Sequence, residues 1–311
     1  MALRIGMHTG VQDVSYPDLR KLWTIADSNG FYWVSVWDHF YENPTHDGRS
    51  PCFEATTAMA AMAAETQNVR IGCLVMAIGY RNPALLAKAT VTIDHISNGR
   101  VEMGIGGGWY EMEFLAYGYP FPPVKTRLDQ LEEGAQIIRS MLRNESTTFQ
   151  GRHFSVDNAY LFPRPIQARP RLWIGGLGEK RTLRIAARYA DGWNAAYVPP
   201  DMFAAKSQVL DRWCDSEDRD PASITRSVNL GFYMGVDEAD ARKKREDIEI
   251  AWANDPAYKP GGMLFGTADQ VRDRIGEYVD IGVTDLNIAF RAPFDFDAVQ
   301  SFIEEVMPAF Q

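Results

Sequence analysis

The run VSVWDHFY, Val34 to Tyr41, is apolar until it ends in Asp38, His39 and two aromatics. A histidine titrates near neutral pH and can give or take a proton beside a reacting carbon. Equally, an aspartate at a strand end can cap the next turn while the histidine satisfies local hydrogen bonds. Two glycine-rich stretches stand beside this one in interest: Gly106, Gly107 and Gly108 in VEMGIGGGWYE, and Gly175, Gly176 and Gly178 in LWIGGLGEKRTLRIAARYADGW. Glycine lets the backbone approach a ligand closely, and a helix opening near Glu179, with Lys180 and Arg181, offers N–H groups to a phosphate. Tight strand-to-helix turns need glycine with no ligand at all, so both readings stay open.

Other chemistries lack their residues. Gly104, Gly106 and Gly108 leave Trp109 where the dinucleotide pattern GxGxxG needs its last glycine, and no acidic ribose partner closes a βαβ unit. His8, His39, His46, His95 and His153 form no HExxH or compact Cys/His cluster, and neither GxSxG nor a Walker motif occurs, so no metal is expected. Trp109, Tyr110, Phe114 and Tyr117 are placed either to wall an apolar pocket or to fill a core.

The elements that would position these residues repeat a pattern of helix, glycine, apolar run: ADSNGFYWVSV, ISNGRVEMGI, YADGWNAAY and VDIGVTDLNIA. In each, glycine can cap the helix and the run can enter a buried sheet. Pro17, Leu19, Leu22, Trp23 and Ala26 predict one helix, Asn82 to Gly99 brackets another, and Leu128, Leu131, Ala135, Ile138 and Leu142 predict a long one over about 125–144. Strands are predicted at Leu3–His8, Trp33–Trp37, Val69–Met76, Arg100–Gly106, Arg171–Ile174, Gly192–Ala195, Val228–Met234 and Asp285–Ala289. Eight such strands alternating with helices predict an α/β protein, a (β/α)8 TIM barrel, with a doubly wound open sheet as the competing arrangement. The stretch at approximately 107–170, between strands 4 and 5, exceeds a normal connection and reads as an insertion in a single 1–311 domain, either a lid or packed decoration.

A 311-residue chain with 46% hydrophobic residues has ample material for one large core. Its formal charge of −9 argues against holding a nucleic acid or an anionic membrane by bulk electrostatics. Cys52, Cys73 and Cys214 make no CxxC pair, there is no signal core at MALRIGMHTG, and no apolar run reaches ~18 residues, which predicts a cytoplasmic protein without a membrane span.

Taken in order, VSVWDHF, VRIGCLVMAIGYRNPALLAKATVTIDHISNGRVEMGIGGGW, LWIGGLGEKRTLRIAARYADGWN and GTADQVRDRIGEYVDIGVTDLNI resemble the bacterial luciferase-like monooxygenase superfamily, in its branch of deazaflavin oxidoreductases using coenzyme F420. The resemblance implies a homodimeric barrel with a flavin-like ring at the carboxyl face and a small organic substrate. It places Asp38 and His39 at the ring, with His39 catalytic through proton transfer. Gly106, Gly107 and Gly108 would line the ring and its ribityl chain, and Gly175, Gly176, Leu177 and Gly178 the phosphate. Cys73, Leu74 and Met76 would back the ring from a bulged third strand, with a non-prolyl cis peptide at Cys73–Leu74. His8, Trp109 and Glu113 would face substrate. Sugar-phosphate dehydrogenases of this branch carry a Glu directly after the first glycine loop, where this chain has Trp109, so that proton donor does not carry over; Glu111 and Glu113 lie close by. The alternatives are a two-component monooxygenase using reduced FMN and a non-catalytic flavin-binding protein.

Overall fold

The computed structural model describes residues 2–42, 47–253 and 260–311, so His46 lies outside the described residues. Eight parallel strands, Arg4–Thr9, Trp33–Val36, Arg70–Cys73, Val101–Gly106, Leu172–Gly175, Gly192–Ala196, Thr225–Met234 and Asp285–Phe290, each pair with the next. The eighth pairs with the first, Arg4 against Asp285 through Thr9 against Phe290, closing a (β/α)8 TIM barrel and ruling out the open sheet. A further strand not foreseen from the sequence, Met263–Gly266, runs parallel to the end of the seventh.

Helices form where their caps and spacing direct. Tyr16–Ser28 starts with the Ser15 side chain accepting from Asp18 N, and buries Leu19, Leu22, Trp23 and Ala26. Pro83–Ile96 starts with Asn82 accepting from Ala84 N and Leu85 N. Among the four helix-glycine-strand units, Gly30, Gly99 and Gly282 adopt positive φ of 77°, 85° and 88°, as capping requires. Gly192 does not. It opens the sixth strand, and a Cβ there would lie 2.3 Å from Trp173.

That contact reveals how the barrel is filled. Strand side chains alternate between the outer face, packed with aliphatic residues under the helices, and the interior. The interior is not aliphatic. Trp33 and Trp173 cross it with ring centroids 5.4 Å apart, occupying space left by Gly6, Gly72 and Gly192. Trp33 donates to Asn287, and Trp173 Nε1 donates to Glu102 Oε2 at 2.5 Å. Toward the amino-terminal end, Arg70 also pairs with Glu102, and Arg4 pairs with Asp285 at 2.5 Å.

Between the fourth and fifth strands come a short helix, Glu111–Ala116, the long helix Val124–Arg143, and an antiparallel hairpin of Ser146–Gln150 with Ser155–Tyr160. The long helix packs on its neighbours through Leu131, Ala135, Ile138 and Leu142.

Two glycine substitutions test this packing. Gly192→Ala forces a methyl into the Trp173 indole and is expected to cost about 1–3 kcal/mol. Gly276→Ala, inside the helix Ala268–Asp280 with nothing within 4 Å, is expected to gain about 0.5–1 kcal/mol. Urea unfolding of both variants checks the contrast; equal midpoints would contradict it.

Candidate active site

A cavity of about 650 Å³ opens at the carboxyl ends of the strands, within the usual range for small-ligand sites. Of the residues singled out from the sequence, His8, Asp38, His39, Leu74, Gly106, Gly107, Gly108, Trp109, Glu113, Gly175, Gly176 and Leu177 line it. Three others do not. Cys73 and Met76 are fully buried in the core between barrel and helices, because alternation turns their side chains outward. Gly178 sits one step behind the wall, its carbonyl accepting from Leu183 N and its missing Cβ making room for Thr182.

The third strand also breaks differently from the expected Val69–Met76 run. Its ladder stops at Cys73, the non-prolyl cis peptide joins Leu74 to Val75 rather than Cys73 to Leu74, and pairing resumes at Met76–Ala77. Val75 thereby turns inward and nests among three glycines: a Cβ on Gly104, Gly106 or Gly175 would come within 3.1, 2.6 and 2.7 Å of it. Leu74 rests against the Trp33 and Trp173 pair. The wall made by Leu74, Val75 and the glycines is thus free of protruding side chains from two neighbouring strands.

The second glycine loop follows strand five. Gly176 takes φ of +123°, a conformation open to glycine, and its carbonyl accepts from Trp193 Nε1 at 2.8 Å. The next helix begins at Thr182, not near Glu179, and Thr182 itself lines the cavity. Arg181 is drawn away to Asp129 and Glu132, each at 2.9 Å, and Glu179 pairs with Lys206.

A cluster of acids and donors lines the same cavity. His39 Nδ1 is 2.8 Å from Glu113 Oε1; Tyr80 donates its hydroxyl to the same oxygen at 2.7 Å, and Phe40 N donates to Oε2 at 2.8 Å. Glu113 is 1% exposed, so these donors offset the cost of burying a carboxylate. Burial and the adjacent Glu113 push the Tyr80 phenol well up, keeping it a donor. Trp109 and Tyr110 meet the His39 ring edge-on at 5.6 and 5.7 Å and stack on one another at 5.0 Å. Asp38 is the second buried acid. Arg81 grips it in a two-pronged pair at 2.7 and 2.9 Å, and Ala77 N donates to it at 2.9 Å. Glu54 also binds Arg81; although burial opposes its ionisation, the Thr57 N–H and Arg81 hold its carboxyl down at about 2.

Sequence reasoning missed Tyr80, Arg81, Asn194, Asn229 and Arg291. The first two lie within the run VRIGCLVMAIGYRNPALLAKATVTIDHISNGRVEMGIGGGW quoted for the resemblance, which gave them no role of their own. Asn194 and Asn229 lie inside apolar strands, where isolated polar residues were the available signal. His8, also inside a strand, is buried with Nδ1 2.8 Å from Ser35 Oγ and its ring against Trp37.

Residues 2–262 match the family described as luciferase-like monooxygenase. The chain belongs to the luciferase-like monooxygenase family. It is 25% identical over 334 aligned positions, covering 98% of each chain, to a protein of Intrasporangium calvum named F420-dependent glucose-6-phosphate dehydrogenase. A protein of the same name from Amycolatopsis mediterranei is 31% identical over 61% of this chain and 56% of its own. Among solved structures, an F420-dependent secondary alcohol dehydrogenase in complex with an F420-acetone adduct overlays with a TM-score of 0.84 at 20% identity, covering 100% of both chains. At that identity the overlay establishes the shared barrel. Within this luciferase-like barrel, no helix among the described residues is long and apolar enough to cross a membrane.

The buried His8 gives the site a measurable signature. Burial, aided by the positive charge of Arg291, lowers its pKa from 6.5 to about 3. The unfolded chain then takes up a proton near 6.5 before the folded one does. Stability from this group is complete above that value and is lost as pH falls toward 3, by up to about 1.4 kcal/mol per pH unit. His8→Gln is expected to flatten that slope between about pH 6 and pH 4. Urea unfolding across the interval checks it, an unchanged slope contradicting the assignment.

Proposed function

We propose that this protein is an F420-dependent oxidoreductase that moves a hydride between coenzyme F420 and a small organic substrate at the barrel mouth. One observation carries the reading: a wall of Leu74 and Val75 with the glycines Gly106 to Gly108 shares one cavity with a histidine–carboxylate pair. The names of the curated relatives support the choice of coenzyme. The coenzyme, when bound, supplies or accepts the hydride.

The residues present fit such a group. Leu74, Val75 and the first glycine loop would hold a flat ring, and Gly175, Gly176, Leu177 and Thr182 would hold the phosphate arm, Gly178 acting from behind by admitting Thr182. Asp38 lines the ring side gripped by Arg81, a guanidinium it shares with Glu54, so it contributes shape and a fixed hydrogen-bonding geometry.

His39 handles the proton. Glu113 Oε1 accepts from Nδ1, which leaves Nε2 as the nitrogen that takes or gives a proton in the cavity. Glu113 fixes the ring tautomer and stabilises the imidazolium that proton uptake creates, while Tyr80 and Phe40 N hold Glu113. The carboxylate absent at Trp109 is thus replaced by one from the first turn of the next helix, acting through His39 instead of beside it. Trp109 and Glu113 with His8 bound the substrate side. All three cysteines are free, which supports a cytoplasmic setting, and the family resemblance supports a homodimer built from one barrel domain spanning 1–311 with its insertion near 107–170.

Titration of the purified protein with coenzyme F420 and with FMN, followed by fluorescence quenching, is expected to give at least about tenfold tighter binding of the deazaflavin, a gap of ~1.4 kcal/mol. The reverse preference would favour the reduced-FMN monooxygenase reading, and tight binding with no hydride donor or acceptor turned over would favour a binding protein. His39→Gln is expected to keep F420 affinity but lose about 10²–10⁴-fold in single-turnover hydride transfer. Because His39 and Glu113 act as a unit, adding Glu113→Gln should cost little more than the worse single change. Multiplicative losses would sever the two.

A further inference from the structure

We propose that the substrate carries a neutral carboxamide or lactam, its carbonyl received by Asn229 Nδ2 and its N–H by Asn194 Oδ1. This names the substrate class of the site just described and rests on that reading of the cavity.

Asn194 in the sixth strand and Asn229 in the seventh both line the cavity, and both are buried. A single indole fixes which way their amides point. An indole N–H can only donate, so the Asn287 atom that Trp33 meets is the oxygen, Oδ1. Asn287 Nδ2 then donates to Ser227 Oγ and to Asn229 Oδ1, each at 3.0 Å. The same Asn229 oxygen accepts from Asn194 Nδ2 at 2.9 Å, and the second hydrogen of that nitrogen goes to Ser227 Oγ at 3.1 Å. Both N–H bonds of Asn287 and of Asn194 are thereby used, as are both lone pairs of Asn229 Oδ1. A carbonyl oxygen on Asn194 and an NH2 group on Asn229 are left over. Neither meets a partner among the described residues, and neither is sealed from the cavity.

A ligand that fits must accept at one end of this pair and donate at the other. A carboxylate, ester or ketone offers oxygen alone and leaves Asn194 Oδ1 without a donor, at the cost of desolvating that oxygen. An ammonium offers donors alone. A hydroxyl has to serve both ends from one atom. A C(=O)–N–H unit serves them from two atoms in one plane, as the amides of the protein serve each other. No charge is needed, and Asn194, Ala196 and Asn229, which line the cavity from these two strands, carry none. The backbone holds the pair in place: Asn229 O accepts from Tyr197 N at 2.8 Å, and Asn194 O from Gly176 N at 3.1 Å. The coenzyme seat proposed above uses the third strand and the loops after the fourth and fifth, which leaves the sixth and seventh strands to the substrate.

Calorimetric titration of the purified protein, with and without saturating F420, tests this with three flat ligands of similar shape. They are 2-quinolinone, a lactam; coumarin, with a ring oxygen in place of the N–H; and 2-naphthol, with a lone hydroxyl. 2-Quinolinone is expected to bind at least about tenfold more tightly than either, since a site that pairs an N–H rejects the analogue lacking it. Asn194→Ala should erase the preference for the lactam over coumarin, whereas Asn229→Ala should weaken both, because both offer a carbonyl. Urea unfolding of the variants accompanies the titrations; if neither folds, the three ligands in the unmutated protein decide alone. Equal affinities for 2-quinolinone and coumarin there, including no measurable binding of either, would overturn the proposal. So would 2-naphthol binding as tightly as the lactam, or a preference that survives Asn194→Ala. Displacement of 2-quinolinone by F420 would give the amide pair to the imide edge of the coenzyme ring and overturn the substrate assignment. Failure of F420 to bind would instead strike the coenzyme assignment, because the ligand comparison is also read without it.

Discussion

Two indoles packed across the barrel axis set the terms for everything above them. An eight-stranded barrel has an interior just wide enough for side chains to fill. Trp33 and Trp173, 2% and 1% exposed, take up its middle, and every neighbouring strand that faces them must give way. Gly6, Gly72 and Gly192 are the result, since a Cβ at any of them would press into an indole. The two rings also need polar partners for their N–H edges, which Asn287 and Glu102 provide from opposite sides of the barrel. The plug makes the mouth a one-ended cavity with a rigid floor, and gives Leu74 something to rest on.

From that floor the wall follows. Val75 can turn inward only because Gly104, Gly106 and Gly175 leave space on the next two strands. The glycines that suggested either a ligand cradle or ordinary turns thus have a purpose that neither reading named, admitting a neighbouring side chain. Gly108 shows a similar double constraint, with φ of 73° and Phe114 2.7 Å from where its Cβ would be.

The two buried acids of the mouth are kept in different states of pairing. Asp38 faces a guanidinium, which it shares with Glu54. Glu113 is met by an imidazole, a phenol and a backbone amide, none of which carries a permanent charge. A carboxylate so held responds to protonation of the histidine beside it, because the stabilisation it offers grows when the ring becomes charged. His39 comes from the second strand, Tyr80 from beyond the third, and Glu113 from the insertion after the fourth. The insertion accordingly contributes residues to the site.

Local rules made much of this readable in advance. Apolar runs of strand length, glycine after helices and heptad-like spacing are consequences of backbone geometry, and they located all eight barrel strands, the helix of Leu19 to Ala26 and the long helix to Arg143. The position of Asp38 and His39 at a strand end followed in the same way, since parallel strands in a closed barrel deliver their carboxyl ends to one mouth. What local rules do not contain is which face of a strand turns inward beside a break, so Cys73 and Met76 were assigned to the wall that Leu74 and Val75 form. Nor do they contain partners far apart in the chain. The grip of Arg81 on Asp38, the meeting of Glu113 with His39, the amide chain from Asn194 through Asn229 to Asn287, and Arg291 between Trp37 and Trp252 arise only when the barrel closes. Sequence determined the elements because their periodicity is written residue by residue; tertiary structure decided the site because hydrogen bonding and burial depend on distances that only the closed barrel sets.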